Sequence, residues 1–194
     1  GVEYCPPVSE GTSSTTSQLC NLTKSCAAGS FRVACGVGED TKCVEEGCTG
    51  YLGEGSNSTW CPAVEAGSST TAPLACNSSL ECPAGKHRVA CSSDEDTKCV
   101  EDGCSGYENG DGTDTYCPGT DNGQVTQGIE KCSKVTCSAG TLRHNCSKTE
   151  DTHCVDDDIC NSSDHFCPET DNGHNTTSAS SCTPLECPAG QIRN

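Results

Sequence analysis

Apolar residues in this chain come in runs of three at most, and no stretch repeats them with the 3.6-residue period of a helix. The densest runs are "SFRVAC" (30–35) and "TKCV" (41–44), separated by the turn-forming "GVGED" (36–40). They read as two short strands of a hairpin, and "KHRVAC" (86–91) and "TLRHNC" (141–146) repeat the first of them. Gly29, Gly85, Gly140 and Gly190 recur as well and are expected in a turn conformation that a side chain would hinder. The segments between, such as "PPVSEGTSSTTSQL" (6–19), are rich in Ser, Thr and Gly and read as irregular loops.

Cysteine spacing turns these fragments into a repeat. The frame Cys5, Cys20, Cys26, Cys35, Cys43, Cys48 recurs at Cys61, Cys76, Cys82, Cys91, Cys99, Cys104 with identical spacings. A third copy uses Cys117, Cys132, Cys137, Cys146, Cys154, Cys160, and a fourth supplies Cys167, Cys182 and Cys187. The chain is thus read as residues 1–56, 57–112, 113–162 and a truncated 163–194. An aromatic residue precedes the first cysteine of each copy (Tyr4, Trp60, Tyr116, Phe166), and Pro follows it. These aromatics are expected to be buried at junctions that stiffen the string, or packed on the adjacent disulfide. Arg recurs at 32, 88, 143 and 193, and Glu-Asp-Thr at 39–41, 95–97 and 150–152. Arg32 with Asp40, and their copies, are expected to form a structural salt bridge across the hairpin.

Composition explains why so much rests on cysteine. Leu, Ile, Val and Phe number only 23 of 194 residues, and the net charge is −17. Such a chain cannot bury enough apolar surface to offset its conformational entropy unaided. The 21 cysteines mark a disulfide scaffold in an oxidising compartment, extracellular or at a cell surface. The acidity argues against nucleic acid and anionic membranes as partners, and no stretch suits direct membrane insertion. The fold class expected is small disulfide-rich modules, tandem cysteine-rich repeats with short β-hairpins and mostly irregular structure, forming an elongated rod.

The first pair of cysteines fourteen residues apart, and the tails "CGVGEDTKC", "CSSDEDTKC" and "CSKTEDTHC", resemble the cysteine-rich repeats of tumour necrosis factor receptors. The middle of each repeat departs from that pattern, and a sixth cysteine follows the Asp-Thr-x-Cys. The "CPAG" element resembles repeats of protist and algal surface proteins and filament proteins. Six cysteines allow fifteen pairings, among which spacing does not choose. The receptor resemblance implies Cys5–Cys20, Cys26–Cys43 and Cys35–Cys48. Carried along the chain it implies Cys61–Cys76, Cys82–Cys99, Cys91–Cys104, Cys117–Cys132, Cys137–Cys154, Cys146–Cys160 and Cys167–Cys182. Cys187 is then left unpaired, and "CPAGQIRN" stops in mid-frame. The chain is therefore expected to be a segment of a longer polypeptide, or to join an identical neighbour end to end.

Sequons for N-linked glycans stand at Asn21, Asn57, Asn77, Asn145, Asn161 and Asn175, with Asn21 and Asn77 at one repeat position. His144 and His153 lie near cysteines but lack the paired spacing of a zinc site, and read as exposed loop residues. "NGDGTDT" (109–115) and "DDD" (156–158) read as solvated acidic loops before weak calcium sites. No cofactor and no resident metal are expected. No nucleophile elbow, phosphate loop or metalloprotease helix occurs, so the chain is not expected to be an enzyme. The reading is a structural extracellular glycoprotein, a segment of a repeat array in the stalk or shaft of a surface coat, filament or cell appendage. Its expected partners are its own copies or other coat and filament proteins. The alternative is a receptor-type ectodomain that binds a protein ligand, with a cystine-rich inhibitor or toxin a distant third.

Overall fold

The computed structural model describes residues 1–7, 16–101, 103–108, 110 and 112–183. Among them are short antiparallel two-stranded sheets, one 3-10 helix at Asp158–Asn161 and nine disulfides. The expected hairpin forms in each complete copy. Phe31–Val33 pairs with Lys42–Val44, His87–Val89 with Lys98–Val100, and Thr141–His144 with His153–Asp156. Before each lies a turn closed from Ser30 N–H to Ala27 O (3.2 Å), Lys86 to Pro83 (3.1 Å) and Thr141 to Ser138 (3.2 Å). Its third residue, Gly29, Gly85 or Gly140, has φ of 88°, 89° or 94°, the positive value of a type II turn.

A second kind of hairpin uses the residues before the first cysteine and those before the second. Glu3–Tyr4 pairs with Gln18–Leu19, Thr59–Trp60 with Leu74–Ala75, Thr115–Tyr116 with Glu130–Lys131, and His165–Phe166 with Ser180–Ser181. The aromatics are less buried than expected. Tyr4, Trp60 and Tyr116 are half-buried and Phe166 is 47% exposed. A two-residue ladder has one thin face to offer, so the rings lie along it. Tyr4 Oη donates to Gln18 Oε1 (2.9 Å) and Tyr116 Oη to Glu130 Oε2 (2.7 Å).

The chain forms two compact units. One contains Gly1–Cys82, Arg88–Val100 and Thr120–Gln127; the other contains Pro83–His87, Glu101–Gly119 and Gly128–Asn194. The first holds Cys20–Cys35, Cys26–Cys43, Cys48–Cys61, Cys76–Cys91 and Cys82–Cys99. The second holds Cys104–Cys117, Cys132–Cys146, Cys137–Cys154 and Cys160–Cys167. Among the described residues Leu142 is the only buried hydrophobic that is not a cysteine, packed with Cys160, Cys167, Val155 and Ala179. Each bridge closes a loop worth about 3 kcal/mol in the chain-entropy model. Cystines thus replace the aliphatic core that the composition lacks.

Candidate functional site at the module junctions

The bridges fall into two sorts, and only part of the expected pairing survives. Cys26–Cys43, Cys82–Cys99 and Cys137–Cys154 are formed. Cys5–Cys20, Cys61–Cys76, Cys117–Cys132 and Cys167–Cys182 are not, and strand register explains it. Glu3 pairs with Leu19 and Tyr4 with Gln18, while Cys20 N–H donates to Val2 O. Cys5 and Cys20 therefore lie three ladder positions apart, roughly 10 Å at 3.3 Å per residue. A disulfide tolerates a Cα separation of at most about 7 Å.

The expected Cys35–Cys48, Cys91–Cys104 and Cys146–Cys160 are likewise replaced. Phe31 opposes Val44 and Val33 opposes Lys42, so Cys35 lies at the turn end of its hairpin while Cys48 follows the opposite end. What reaches the turn end is the second cysteine. Asp40 Oδ1 accepts the N–H of Asn21 (2.7 Å), which holds the adjacent Cys20 against Cys35. Asp96 does the same for Asn77 and Asp151 for Ser133, each at 2.7 Å, giving Cys76–Cys91 and Cys132–Cys146. The same carboxylates also accept the N–H of Thr41, Thr97 and Thr152. The Asp of the triplet is a loop clamp.

The first and last cysteines, displaced from their expected partners, join consecutive copies. Cys48–Cys61, Cys104–Cys117 and Cys160–Cys167 each tie the end of one repeat to the start of the next, at Cα separations of 5.6, 5.7 and 5.0 Å. Among the described residues, Cys5 and Cys182 are exposed and have no disulfide partner. Cys187, expected to be unpaired, lies outside the described residues, as do Gly190 and Arg193.

The recurring arginine supplies the second fastening, and its expected salt bridge with Asp40 is absent. Arg32, Arg88 and Arg143 are 6%, 1% and 7% exposed, each wrapped by the first loop of the following copy. Arg88 Nε donates to Val125 O (2.9 Å). Its Nη1 reaches Leu80 O (2.8 Å), Thr120 Oγ1 (3.2 Å) and Asp121 O, and its Nη2 reaches Gln127 Oε1. Arg143 donates in the same way to Asn175 O (2.7 Å), Val135 O (2.8 Å), Thr170 Oγ1 (3.1 Å) and Asp171 O. Arg32 donates to Ser69 O (2.8 Å), Lys24 O (3.0 Å) and Glu65 O. A glycine packs closely against each guanidinium. A Cβ on Gly67, Gly123 or Gly173 would come within 2.9, 3.1 or 3.1 Å of an arginine Nη2. Backbone carbonyls meet the planar fork of donors, and the buried cation is solvated by dipoles.

The signal for this clasp was present in the sequence. Gly67, Gly123 and Gly173 each stand six residues after a first cysteine, with Thr70, Thr126 and Thr176 three further on. Those threonines accept the N–H of Ala34, Ala90 and Asn145 at 3.0, 3.0 and 3.1 Å. The loops read as irregular are thus organised around the arginine. In the first junction the loop also contributes a strand, Val64–Gly67, paired with Lys24–Cys26.

The remaining candidates occupy quieter positions. Asn21 Oδ1 accepts the N–H and hydroxyl of Thr23 (2.9 and 3.0 Å), and Asn77 Oδ1 accepts both from Ser79 (3.0 Å each). Asn57 and Asn161 are exposed. Asn145 Oδ1 accepts from Thr176 Oγ1 (2.8 Å) and Asn175 Oδ1 from Tyr107 Oη (2.6 Å). His144 and His153 are strand neighbours, not loop residues, with ring centroids 5.9 Å apart. In the acidic loops, Asp114 is 2% exposed and its carboxylate accepts the N–H of Glu108 and Gly110 (3.0 and 2.9 Å). Asp157 caps the 3-10 helix. His87 approaches Cys104 and Cys117, and Asp40, Asp96 and Asp151 approach cysteine pairs. Every one of those pairs is a cystine, so none of these clusters offers the thiolates a zinc site needs.

No described protein family, curated protein or solved structure matches the chain. Among the described residues no helix is long and apolar enough to cross a membrane. The density of disulfides fits an extracellular or secreted protein.

Proposed function

We propose that the chain is a segment of an extracellular structural array, a glycoprotein of a surface coat, filament or cell appendage, with no catalytic role. One observation carries the reading: each copy is fastened to the next by both a disulfide and a buried arginine. Such doubled fastening suits a polymer that resists tension and proteolysis, and its repetition suits a job shared equally by every module. Sugars on Asn21 and Asn77, where the Asx turn engages the amide oxygen, would add to the acidic shield. Partners would be further modules of the same kind or other coat proteins.

The overlapping pair Cys20–Cys35 and Cys26–Cys43 supports a relation to tumour necrosis factor receptor-type repeats, and with it the second reading of a ligand-binding ectodomain. Electron microscopy of native material labelled by an antibody to this chain separates the two. Label along continuous filaments or a periodic coat is expected; label on dispersed single molecules refutes the array. Mass spectrometry of the same material, if it found Asn21 and Asn77 bare, would remove the glycan shield.

A further inference from the structure

The start of the second and third copies is occupied by five residues from the tail of the preceding copy, "GCTGY" (47–51) and "GCSGY" (103–107). The contacts are the same in both. Cys48 bonds Cys61, Gly50 N–H donates to Thr59 O (2.8 Å), and Tyr51 N–H donates to Cys91 O (2.9 Å). Cys104 bonds Cys117, Gly106 N–H donates to Thr115 O (2.8 Å), and Tyr107 N–H donates to Cys146 O (2.9 Å). The turn glycines complete each seat, Gly29 N–H donating to Cys61 O (2.8 Å) and Gly85 N–H to Cys117 O (2.7 Å). Gly50 presses on the backbone of Ser92 and Ser93, where a Cβ would stand 3.1 Å from Ser93 N; Gly106 presses on Ser147 and Lys148 in the same way.

The first copy presents the same seat. Cys5 is positioned like its equivalents: its N–H donates to Val37 O (2.9 Å), as Cys61 does to Ser93 O (2.9 Å) and Cys117 to Lys148 O (3.0 Å). Its thiol is exposed and free. Among the described residues nothing donates to Cys5 O or Cys35 O, the counterparts of the filled acceptors Cys61 O and Cys91 O. Two exposed apolar side chains lie beside it. Val37, in the place of Ser93, is 88% exposed, and Leu19, directly across the ladder from Glu3, is 69% exposed. Glu3 stands where Thr59 meets the incoming segment, and cross-strand partners share a face.

We infer that this face of the first copy docks a Gly-Cys-Ser/Thr-Gly-Tyr segment from the tail of another module of the same kind, and that Cys5 bonds its cysteine. The inference rests on the array reading and names the contact by which the array would continue. Closing the bond joins Cys5 Sγ to the partner's Sγ. Two protons and two electrons pass to a disulfide of the oxidising compartment, which is reduced to two thiols.

The test uses the intact chain and the octapeptide EEGCTGYL, the sequence of residues 45–52, with its cysteine activated as a pyridyl disulfide. Attack by Cys5 forms the mixed disulfide and releases pyridinethiol. Cys182, also exposed and free, is the internal reference. Peptide mapping gives the Cys5-to-Cys182 labelling ratio, normalised to that for activated cysteamine. A normalised ratio of at least about 10, worth about 1.4 kcal/mol, is expected. It should fall towards unity for a peptide with valine in place of the second glycine. A ratio near unity for both peptides overturns the docking, whatever microscopy says of filaments. A selective ratio with dispersed single molecules in native material refutes the array and leaves the docking face standing.

Discussion

Replacing Arg88 by alanine removes the cation that organises residues 120–127, and the cost can be worked from its contacts. Val125 O, Leu80 O and Asp121 O lose their donor, along with Thr120 Oγ1 and Gln127 Oε1. A buried carbonyl left unpaired costs on the order of 1–3 kcal/mol, less where water enters the vacated space. Three carbonyls with partial hydration give about 3–5 kcal/mol, within the range for breaking a buried charged contact. Lysine keeps the charge but not the planar fork, so Arg88→Lys is expected to cost about half as much. The bridges stay closed in both variants, so the loss should appear as local opening. Amide hydrogen exchange at Thr120 and Gln127, whose N–H groups bond Cys82 O and Arg88 O at 2.9 Å each, reads it. Exchange is expected to quicken at least about 100-fold in the alanine variant and about tenfold in the lysine variant, at roughly 1.4 kcal/mol per decade. Rates within twofold of the parent in both variants would refute the idea that the guanidinium holds the loop.

Thr97 is buried and its hydroxyl finds no partner among the described residues. Thr97→Val is therefore expected to be neutral or to stabilise by about 1 kcal/mol in urea unfolding, and a loss above that would reveal a hidden partner. Burial pushes the Asp151 carboxyl up, but hydrogen bonds from Ser133 and Thr152 and the nearby His174 more than offset it and leave it below the ordinary value of 3.8. Its stabilising contribution is complete above about pH 4 and is lost as pH falls through the lowered native value, so acid unfolding of Asp151→Ala should flatten there relative to the parent. The hydrogen bond to Glu130, with burial and the Glu130 charge, pushes the Tyr116 phenol up to about 12. Its contribution is complete below pH 10 and fades as pH rises towards 12. A tyrosinate absorbance step near pH 12 that disappears in Tyr116→Phe is expected, and titration of that residue near 10 would contradict the contact.

Much of the fold was legible in the sequence. The 56-residue period, the hairpin around "GVGED" and the turn glycines follow from local spacing, and each is found where the pattern puts it. Disulfide pairing was less legible, since it depends on ladder register. A three-position offset separates Cys5 from Cys20, and nothing in their spacing announces it. The arginine was visible as a recurrence, yet its partners are carbonyls 37 residues on in the chain, as with Ser69 and Val125. A backbone acceptor leaves no mark on side-chain sequence. Only the glycine packed against the guanidinium does, and it lies in loops whose serines and threonines suggest mere solvation. Opposite charge suggests pairing the Asp of Glu-Asp-Thr with Arg32. In the structure it serves two N–H groups, which bond a carboxylate without the cost of desolvating a second ion.

That the strength of the chain runs through its junctions is tested most directly by peptide mapping of the oxidised protein without reduction, with free thiols blocked first. Fragments joining Cys48 to Cys61, Cys104 to Cys117 and Cys160 to Cys167 are predicted, together with Cys20 to Cys35 and Cys76 to Cys91. Fragments joining Cys61 to Cys76 and Cys35 to Cys48 would contradict the account, because no bridge would then cross the junction between the first two copies.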